Sequence, residues 1–254
     1  METPSQFRAV DHPCLDLTSQ DYAREFNLVK SVGAQVSETR THDQLLTGIY
    51  WAYDGAKGLG VPIRQLMQIA LQVTQNMGLT SLELARVYAL CTVAAADTAI
   101  SSWDSKYHYS FWRPVVAIHE ADSDGNDNTE ADTSWEPFGA PKSNVIAEHN
   151  FTPNFPTYTS GHSQFSGSFF LMLKLALGHD VAFTFVSDEL NGITTDRTGV
   201  VREKHERSFA TLGEAAEEMA YSRVYLGIHW ECDCAEGLGQ GEKIAQYVFD
   251  KVGI

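Results

Sequence analysis

The chain alternates stretches of helical periodicity with polar, proline-containing segments. Apolar residues recur three and four positions apart in four stretches, and this spacing predicts four helices: Pro62–Met77, Leu82–Trp103, Ser163–Leu177 and Ser208–Leu226. The second stretch is apolar on most sides, which is typical of a buried central helix. Strand-like alternation is rare and short. The pattern therefore predicts an all-α helical bundle.

Two long segments break this pattern and are expected to be connecting loops. Residues Glu120–Trp135 are almost entirely polar. Residues Gly139–Thr159 contain three prolines, which exclude a regular helix there. The acidic run Asp122–Asp132 lacks the full twelve-residue pattern of a calcium-binding loop, so we interpret it as a solvated loop.

Composition limits the classes of protein that fit. With 254 residues, of which 43% are hydrophobic, the chain is long enough for one large domain. We expect a single domain over residues 1–254, with residues 1–45 as an N-terminal helical extension. The formal net charge of −15 argues against a general attraction to nucleic acid or anionic membranes. Against this background, any local cluster of Lys and Arg is more informative.

The chain shows no targeting or spanning segment. The N-terminal residues METPSQFRAVDHP lack the apolar core of a signal peptide. No run approaches the roughly 18 consecutive apolar residues of a spanning helix. We expect a soluble protein without a membrane partner, and both cytoplasm and secretion stay open.

Four cysteines, Cys14, Cys91, Cys232 and Cys234, complete the composition. The C-x-C spacing of the last two is poorly suited to a disulfide between them. Cys91 lies in an apolar helical run and is interpreted as a small core residue. Because paired C-x-x-C knuckles are absent, a zinc site with His229 as the nearest partner is disfavoured.

The first segment that suggests chemistry contains Lys106 and Arg113, with Pro114 directly after them. Seven residues are nearly two helical turns, so the two cations are expected on one face of a helix that ends near Arg113. Aromatic residues surround the pair, and a setting of low polarity strengthens charge interactions. Two ordinary surface cations are the alternative interpretation.

The second segment, Ser160-Gly161-His162, follows a proline-rich loop and opens a predicted helix. A helix N-terminus presents free N–H groups to an oxyanion, and glycine lets a ligand approach the backbone closely. His162 could donate or accept a proton near neutral pH. A simple helix cap by Ser160 is the alternative.

The third segment contains Arg223 and His229, which are six residues apart. Gly227 offers a place for the helix to end, so His229 could turn back toward Arg223; a plain helix C-terminus is the alternative. Together the three segments supply three cations, a helix N-terminus and two histidines, the groups that a tetrahedral oxyanion requires.

The motifs Lys-x6-Arg-Pro, Ser-Gly-His and Ser-Arg-x5-His, in this order, resemble the type 2 phosphatidic acid phosphatase and vanadium haloperoxidase superfamily. Within it, Phe155-Pro156-x-Tyr158 before Ser-Gly-His, Trp103 before Lys106 and the run Tyr50–Gly55 resemble the chloroperoxidase-type vanadium haloperoxidases. Likeness to that group implies a helical bundle with long loops, and a vanadate cofactor whose place phosphate can take.

The resemblance also implies a role for each matched residue. His229 would coordinate vanadium, while Lys106, Arg113, Ser160, Gly161 and Arg223 would bind its oxygens. His162 would be the acid–base residue with Asp54 as its acidic partner, and Lys106 would also polarise bound peroxide. Phe155 and Trp103 would form the halide pocket. The implied substrates are hydrogen peroxide, halide and a small organic acceptor, and the product is hypohalous acid.

Two departures from the family pattern accompany the resemblance. Thr159 stands where the motif usually has proline, which would loosen the loop. The chain is also much shorter than the familiar two-bundle haloperoxidases, which predicts an exposed surface and a possible homo-oligomer. An acid phosphatase working through a phosphohistidine, and a non-catalytic oxyanion-binding protein, remain the alternative functions.

Overall fold

A computed structural model describes residues 1–252, apart from the side chain of Pro13. The helices of this described part are α1 (Gln20–Val32), α2 (His42–Tyr50), α3 (Pro62–Thr74), α4 (Ser81–Tyr109), α5 (Pro114–His119), α6 (Gly161–Leu177), α7 (Leu212–Tyr225) and α8 (Glu231–Val252). Strands β1 (Phe183–Asn191) and β2 (Lys204–Phe209) form an antiparallel hairpin between α6 and α7. Short 3₁₀ turns occur at Pro4–Phe7, Pro13–Leu15 and Ala121–Ser123.

Helix α6 is the centre of the bundle and packs against α4, α7 and α8. Its contact with α8 is unusually close because glycines face one another's backbones. A Cβ at Gly167 would lie 2.2 Å from the Leu238 carbonyl oxygen, and one at Gly241 would lie 2.1 Å from the Gln164 carbonyl oxygen. No larger residue fits at either position without moving a helix. This packing brings the N-termini of α6 and α8 together, since the Ser160 N–H donates to the Asp233 carbonyl oxygen.

The predicted all-α bundle with long connecting loops is confirmed, with a small hairpin added. The single helix predicted over Ser208–Leu226 is wrong at its start. β2 continues to Phe209, and α7 begins only after Thr211, whose hydroxyl accepts from the Glu214 N–H. The alternating burial of β2 extends over six residues only, too few to stand out from the helical period that follows it.

Helix α4 extends past its predicted end at Trp103. It starts at a capping box formed by Thr80 and Glu83, and it ends where Ser110 adopts a left-handed conformation with φ of 49°. Lys106 therefore lies in its last turn. Among the described residues, the helical segment Ser81–His119 is long and apolar enough to cross a membrane, judged by length and composition alone. Within its most apolar stretch of 18 residues, 39% is buried inside the protein.

The N-terminal region is tied to the bundle at several points. Cys14 and Cys232 form a disulfide across 218 residues of sequence, whereas Cys234 is not bonded and Cys91 is buried in the core. The proposed boundary at residue 45 falls inside α2. The last two residues of the predicted domain, Gly253 and Ile254, lie outside the described residues.

Candidate functional site: a buried oxyanion cradle

Lys106 and Arg113 meet in the structure, but not on one helix face as predicted. α4 ends at Tyr109, the chain turns at Ser110, and Arg113 is the N-cap of α5. The helical spacing argument was therefore wrong, because the left-handed residue breaks the helix between the two cations. The reversal of the chain, and not the 3.6-residue period, brings them together.

Lys106 is fully buried and ties down the loop that enters α6. Its Nζ donates to the carbonyl oxygens of Pro156, Thr157 and Thr159 at 3.1, 2.7 and 2.6 Å. Burial first, and then the nearby Arg113 charge, hold the pKa of Lys106 well below its ordinary value. The loosening expected from Thr159 in place of proline is opposed by this tether, since Thr159 supplies one of its three acceptors.

Arg113 bridges the same loop and the turn before α8. Its Nε donates to the Phe155 carbonyl oxygen at 3.0 Å, and its Nη1 donates to the Ile228 carbonyl oxygen at 2.7 Å. The same Nη1 lies 3.0 Å from His229 Nε2. Burial lowers the pKa of Arg113 to about 10. Nη2 has no acceptor in the protein although it is buried.

Ser160, Gly161 and His162 open α6 in the predicted manner. The Ser160 hydroxyl accepts from the Ser163 N–H at 3.3 Å, so Ser160 is the N-cap. Gly161 borders the cavity described below, whereas Ser160 does not. A Cβ at Gly161 would make only ordinary contacts, the nearest at 3.5 Å from Ser102 Oγ. Protein packing therefore does not require glycine there, whereas a ligand close to the backbone would.

His162 is buried against Asp54 and Arg223. Its Nε2 has no hydrogen-bond partner in the protein and lies 3.8 Å from Asp54 Oδ1. The ring also makes a hydrogen bond with the Trp51 backbone. Burial, and then the Arg223 charge, lower the pKa of His162 to about 3, although Asp54 opposes this. The imidazole is therefore neutral at physiological pH in this surrounding.

Asp54 contacts Arg223 more closely than it contacts His162. Both carboxylate oxygens accept from Arg223 Nη2 at 2.9 Å. Burial alone would raise the pKa of Asp54, but Arg223, His162 and Arg113 hold it below its ordinary value. Arg223 Nε and Nη1 are buried without an acceptor. Asp54 thus orients the guanidinium and leaves two of its N–H groups free for a ligand.

His229 turns back toward Arg223 as predicted, because α7 ends at Tyr225 and Gly227 adopts a φ of 70°. Its orientation depends on Asp233, one turn into α8. His229 Nδ1 lies 2.8 Å from Asp233 Oδ2 and 3.0 Å from Thr157 Oγ1. Because Arg113 is only a donor, His229 Nε2 is the acceptor in that pair, and Nδ1 carries the proton toward Asp233. The lone pair of Nε2 therefore points toward the cations.

Asp233 is the site residue that sequence reasoning missed. Burial raises the pKa of Asp233 to about 6, while Thr157, Lys106 and Arg113 oppose this increase. The Thr157 hydroxyl and the Trp230 N–H also donate to its Oδ2. The four-residue spacing from His229 was a usable signal, because it places both side chains on one side of a helix start.

A cavity of about 340 Å³ joins these polar groups to an apolar wall. The polar side consists of Lys106, Arg113, His162, Arg223, His229 and Asp54. On the apolar side, the rings of Trp103 and Phe155 lie 5.3 Å apart. Phe155 also lies beneath both cations, 5.4 Å from Lys106 Nζ and 5.1 Å from the Arg113 guanidinium carbon. Val61, Pro62 and Ile63, at the start of α3, also line the cavity.

These groups fit a tetrahedral oxyanion. Buried N–H groups of Arg113 and Arg223 and the Nε2 of His162 lack partners within the protein. An anion between the two guanidinium groups would accept their hydrogen bonds and offset the positive charges of Arg113, Arg223 and Lys106, and a protonated oxygen of the anion could donate to His162 Nε2. The donor set, a single imidazole lone pair among cations, suits an oxyanion better than a bare divalent metal ion.

Comparison with known proteins assigns the family. Residues 86–253 match the family model of the VCPO second helical-bundle domain. The chain belongs to this family. It is also 31% identical over 273 aligned positions to the vanadium chloroperoxidase of Curvularia inaequalis, and the match covers 92% of this chain but 44% of that protein. The chain thus spans less than half the length of this VCPO relative.

Solved structures agree with the VCPO-type fold. The first bacterial vanadium-dependent iodoperoxidase matches with a TM-score of 0.75 and 28% identity, over 99% of this chain and 55% of that one. A bacterial vanadium-dependent chloroperoxidase in its holo form matches with a TM-score of 0.73 and 16% identity, over 100% of this chain and 52% of that one. At this lower identity, the second comparison supports the fold alone.

Proposed function

We propose that this VCPO-family chain binds vanadate in the cradle and oxidises halide with hydrogen peroxide to hypohalous acid. One observation carries the proposal. The imidazole lone pair of His229 faces a group of buried cations whose remaining N–H groups lack acceptors. Family membership and the vanadium-dependent relatives support the same conclusion.

The cradle residues would divide the work of holding the anion. His229 Nε2 is the ligand atom, with Asp233 fixing its tautomer. Arg113 Nη2, Arg223 Nε and Nη1, and the Gly161 N–H would offer donors to the vanadate oxygens, and Lys106 would add charge. Ser160 remains a predicted oxygen contact, although its hydroxyl caps α6. Bound vanadate supplies a Lewis-acidic centre that activates hydrogen peroxide for attack by halide.

His162 would move protons during the reaction. Hydrogen peroxide, halide and one proton yield hypohalous acid and water, so a proton must be delivered in each cycle. The neutral Nε2 of His162 would accept a proton from incoming peroxide and return it to the departing oxygen, and the one further proton consumed in each cycle would come from solvent. An anion beside the ring raises the pKa of His162 toward neutrality, which makes this exchange easier.

The apolar wall would hold the other substrates. Halide is weakly solvated compared with oxyanions, and Trp103 and Phe155 give it a site next to the cations. The cavity of about 340 Å³ is within the usual range of small-molecule pockets. A small aromatic acceptor fits the wall of Val61, Ile63 and Phe155, so halogenation can follow inside the cavity.

A halogenation assay tests the proposal. Purified protein would receive orthovanadate, hydrogen peroxide and either bromide or chloride, and bromination or chlorination of a phenolic dye would be followed. We expect activity that saturates with vanadate and is lost in His229→Ala. An exposed histidine, His179→Ala, is the matched control and should retain full activity.

The phosphatase alternative makes a different prediction from the same site. An imidazole held by Asp233 is also suited to attack phosphorus. Absence of halogenation, combined with aryl phosphate hydrolysis that vanadate inhibits, would replace our proposal with the phosphatase. Binding of either anion without halogenation or phosphate hydrolysis would leave the non-catalytic oxyanion-binding role, and failure to bind either anion would refute all three functions.

A further inference from the structure

The outer face of α4 is apolar along most of the helix. Between residues 84 and 106, every exposed residue of α4 is apolar except Thr92, whose hydroxyl donates to the Tyr88 carbonyl oxygen at 2.8 Å. We define the α4 stripe by its outward side chains: Leu82, Ala89, Val93, Ala96, Ile100 and Tyr107. Leu82 is 81% exposed and Tyr107 is 62% exposed. The charged residues of this range, Arg86, Asp97 and Asp104, are only half-exposed, and Lys106 is buried. Large contiguous apolar patches are uncommon on monomers and mark interaction surfaces.

The stripe has the spacing of a helix-packing seam. Leu82, Ala89, Ala96 and Trp103 recur every seven residues, and so do Val93, Ile100 and Tyr107, a row that begins with the half-buried Arg86. The two rows lie three and four positions apart, as the a and d rows of a coiled coil do. β-Branched residues alternate with alanines at the middle, where a partner helix could approach closely. The pattern therefore indicates a second helix lying alongside α4.

Charge favours a second copy of this chain at this face. With a net charge of −15, two copies repel each other over most of their surfaces. The stripe contains no carboxylate. Glu83 lies beside Leu82 at one end of the stripe and accepts from Thr80. Along the rest of the flank, Asp97 pairs with the N-terminal ammonium and Asp104 pairs with Arg8 at 2.7 Å. Two copies can therefore pack at this face without placing unpaired carboxylates opposite each other along the middle of the stripe.

The length of the seam also agrees with a second copy as the occupant. From Leu82 to Tyr107 the seam is about 38 Å long, at 1.5 Å per residue. A helix pair of that length approaches the roughly 800 Å² per partner of a standard interface.

We propose that the protein forms a two-fold symmetric dimer through the α4 stripe, with the two α4 helices antiparallel. The symmetry axis passes near Val93 and Ala96, the middle of the seam. Trp103 belongs to the seam and also lines the cavity, so the partner copy shields the outer edge of the apolar wall. The dimer interface and the substrate pocket thus share a residue. This inference stands independently of the proposed function.

Sedimentation equilibrium from micromolar to near-millimolar protein tests the dimer. We expect twice the chain mass for the natural protein. Val93→Glu should weaken association roughly a hundredfold, because it places two like charges close to the axis. Leu71→Glu is the matched control, since Leu71 is an exposed aliphatic residue of α3 outside the stripe, and it should leave association unchanged.

A crosslink tests the position of the axis without weakening the fold. Ala96→Cys should form an intermolecular disulfide on mild oxidation, whereas Leu71→Cys should not. Circular dichroism would show that Val93→Glu remains folded. A monomer at every concentration, or equal effects of Val93→Glu and Leu71→Glu, would overturn the proposal. Binding of the monomer to neutral lipid vesicles, abolished by Val93→Glu, would assign the stripe to a membrane surface instead.

Discussion

At the scale of single residues, the site depends on acids that never touch the anion. Asp54 fixes Arg223 with both oxygens, and Asp233 fixes His229 through Nδ1. Each carboxylate restricts one side chain and leaves its other polar atoms available. The negative charges also reduce the repulsion among the three buried cations. The cradle is therefore organised before a ligand arrives.

Asp233→Asn tests this orienting role. The amide retains the shape but loses the charge that favours the Nδ1–H tautomer of His229. By analogy with partners of metal-bound histidines, we expect vanadate affinity to fall roughly ten- to hundredfold. Equilibrium titration of vanadate by ultraviolet difference spectra measures it. Glu242→Gln, an exposed position on the same helix, should bind as the natural protein does; equal affinities in all three would refute the role.

Glu25 provides a second residue-scale prediction, in pH dependence. Its buried carboxylate accepts from the Glu231 N–H at 2.6 Å and the Cys232 N–H at 3.2 Å, and so caps α8. Burial raises the pKa of Glu25 to about 7 from an ordinary value of 4.5, although these N–H groups oppose the increase. Between those values the folded protein binds more protons than the unfolded one, so this group's contribution to stability falls as pH rises.

Glu25→Gln removes that titration but keeps an oxygen as acceptor. The free energy of unfolding of the variant, minus that of the natural protein, should therefore rise by about 1 to 3 kcal/mol from about pH 5 to about pH 8. Urea denaturation at several pH values measures the difference. A difference that stays constant with pH would contradict the assignment. Glu38→Gln, an exposed acid outside the helices, serves as the control.

At the scale of helices, hydrophobic periodicity predicted most of the bundle. It did not predict the turns at which helices end. The bounds of two predicted helices, Pro62–Met77 and Ser163–Leu177, agree closely with those of α3 and α6, because the burial of their side chains follows the helical period. The chain reversal at Ser110 was not predictable, since serine rarely adopts a left-handed conformation. In the structure its N–H donates to the Lys106 carbonyl oxygen and its hydroxyl donates to the Tyr107 carbonyl oxygen. The cations were thus correctly paired on the basis of an incorrect geometry.

The close packing of α6 on α8 yields an element-scale prediction. Gly241→Ala places a methyl group against the Gln164 carbonyl and must push the helices apart, which should destabilise the fold by about 1 to 3 kcal/mol. It should also weaken vanadate binding, since Gly161 and His229 lie at the starts of α6 and α8 or just before them. Thermal unfolding and vanadate titration measure the two effects.

Gly239→Ala is a matched control for that change. Gly239 lies on the same helix, but nothing lies within 4 Å of a Cβ placed there. Alanine is the better helix former by about 0.5 to 1 kcal/mol, so this variant should be more stable than the natural protein. Equal destabilisation by both substitutions would show that the glycines matter for another reason.

At the scale of the whole molecule, the site gathers residues from nearly the full length of the chain. Asp54 follows α2, Lys106 ends α4, and Asp233 begins α8. Family motifs located the cations and histidines, because those residue types are recognisable in order along the sequence. Asp233 belonged to no quoted motif, and the disulfide partner of Cys232 could not be chosen from spacing alone. Only the fold supplies those contacts.

The Cys14–Cys232 disulfide makes the whole molecule sensitive to reduction. It closes a loop of 218 residues, for which chain entropy predicts about 5 kcal/mol of stabilisation as an upper limit. Reductant should lower the melting temperature of the natural protein. The double variant Cys14→Ser with Cys232→Ser should have the melting temperature of the reduced natural protein, and reductant should not change it. A reductant-induced shift of the same size in that variant would disprove the assignment.

The cradle recognises its ligand by shape and charge, and this has a consequence for how the protein is handled. Phosphate has the same geometry as vanadate and is far more abundant in growth media and common buffers. If the cradle takes vanadate as proposed, competition would set the fraction of molecules that carry vanadium, through the ratio of the two anions and of their dissociation constants. Protein prepared in phosphate should look inert until it is dialysed, and a cell rich in phosphate would keep most of it dormant.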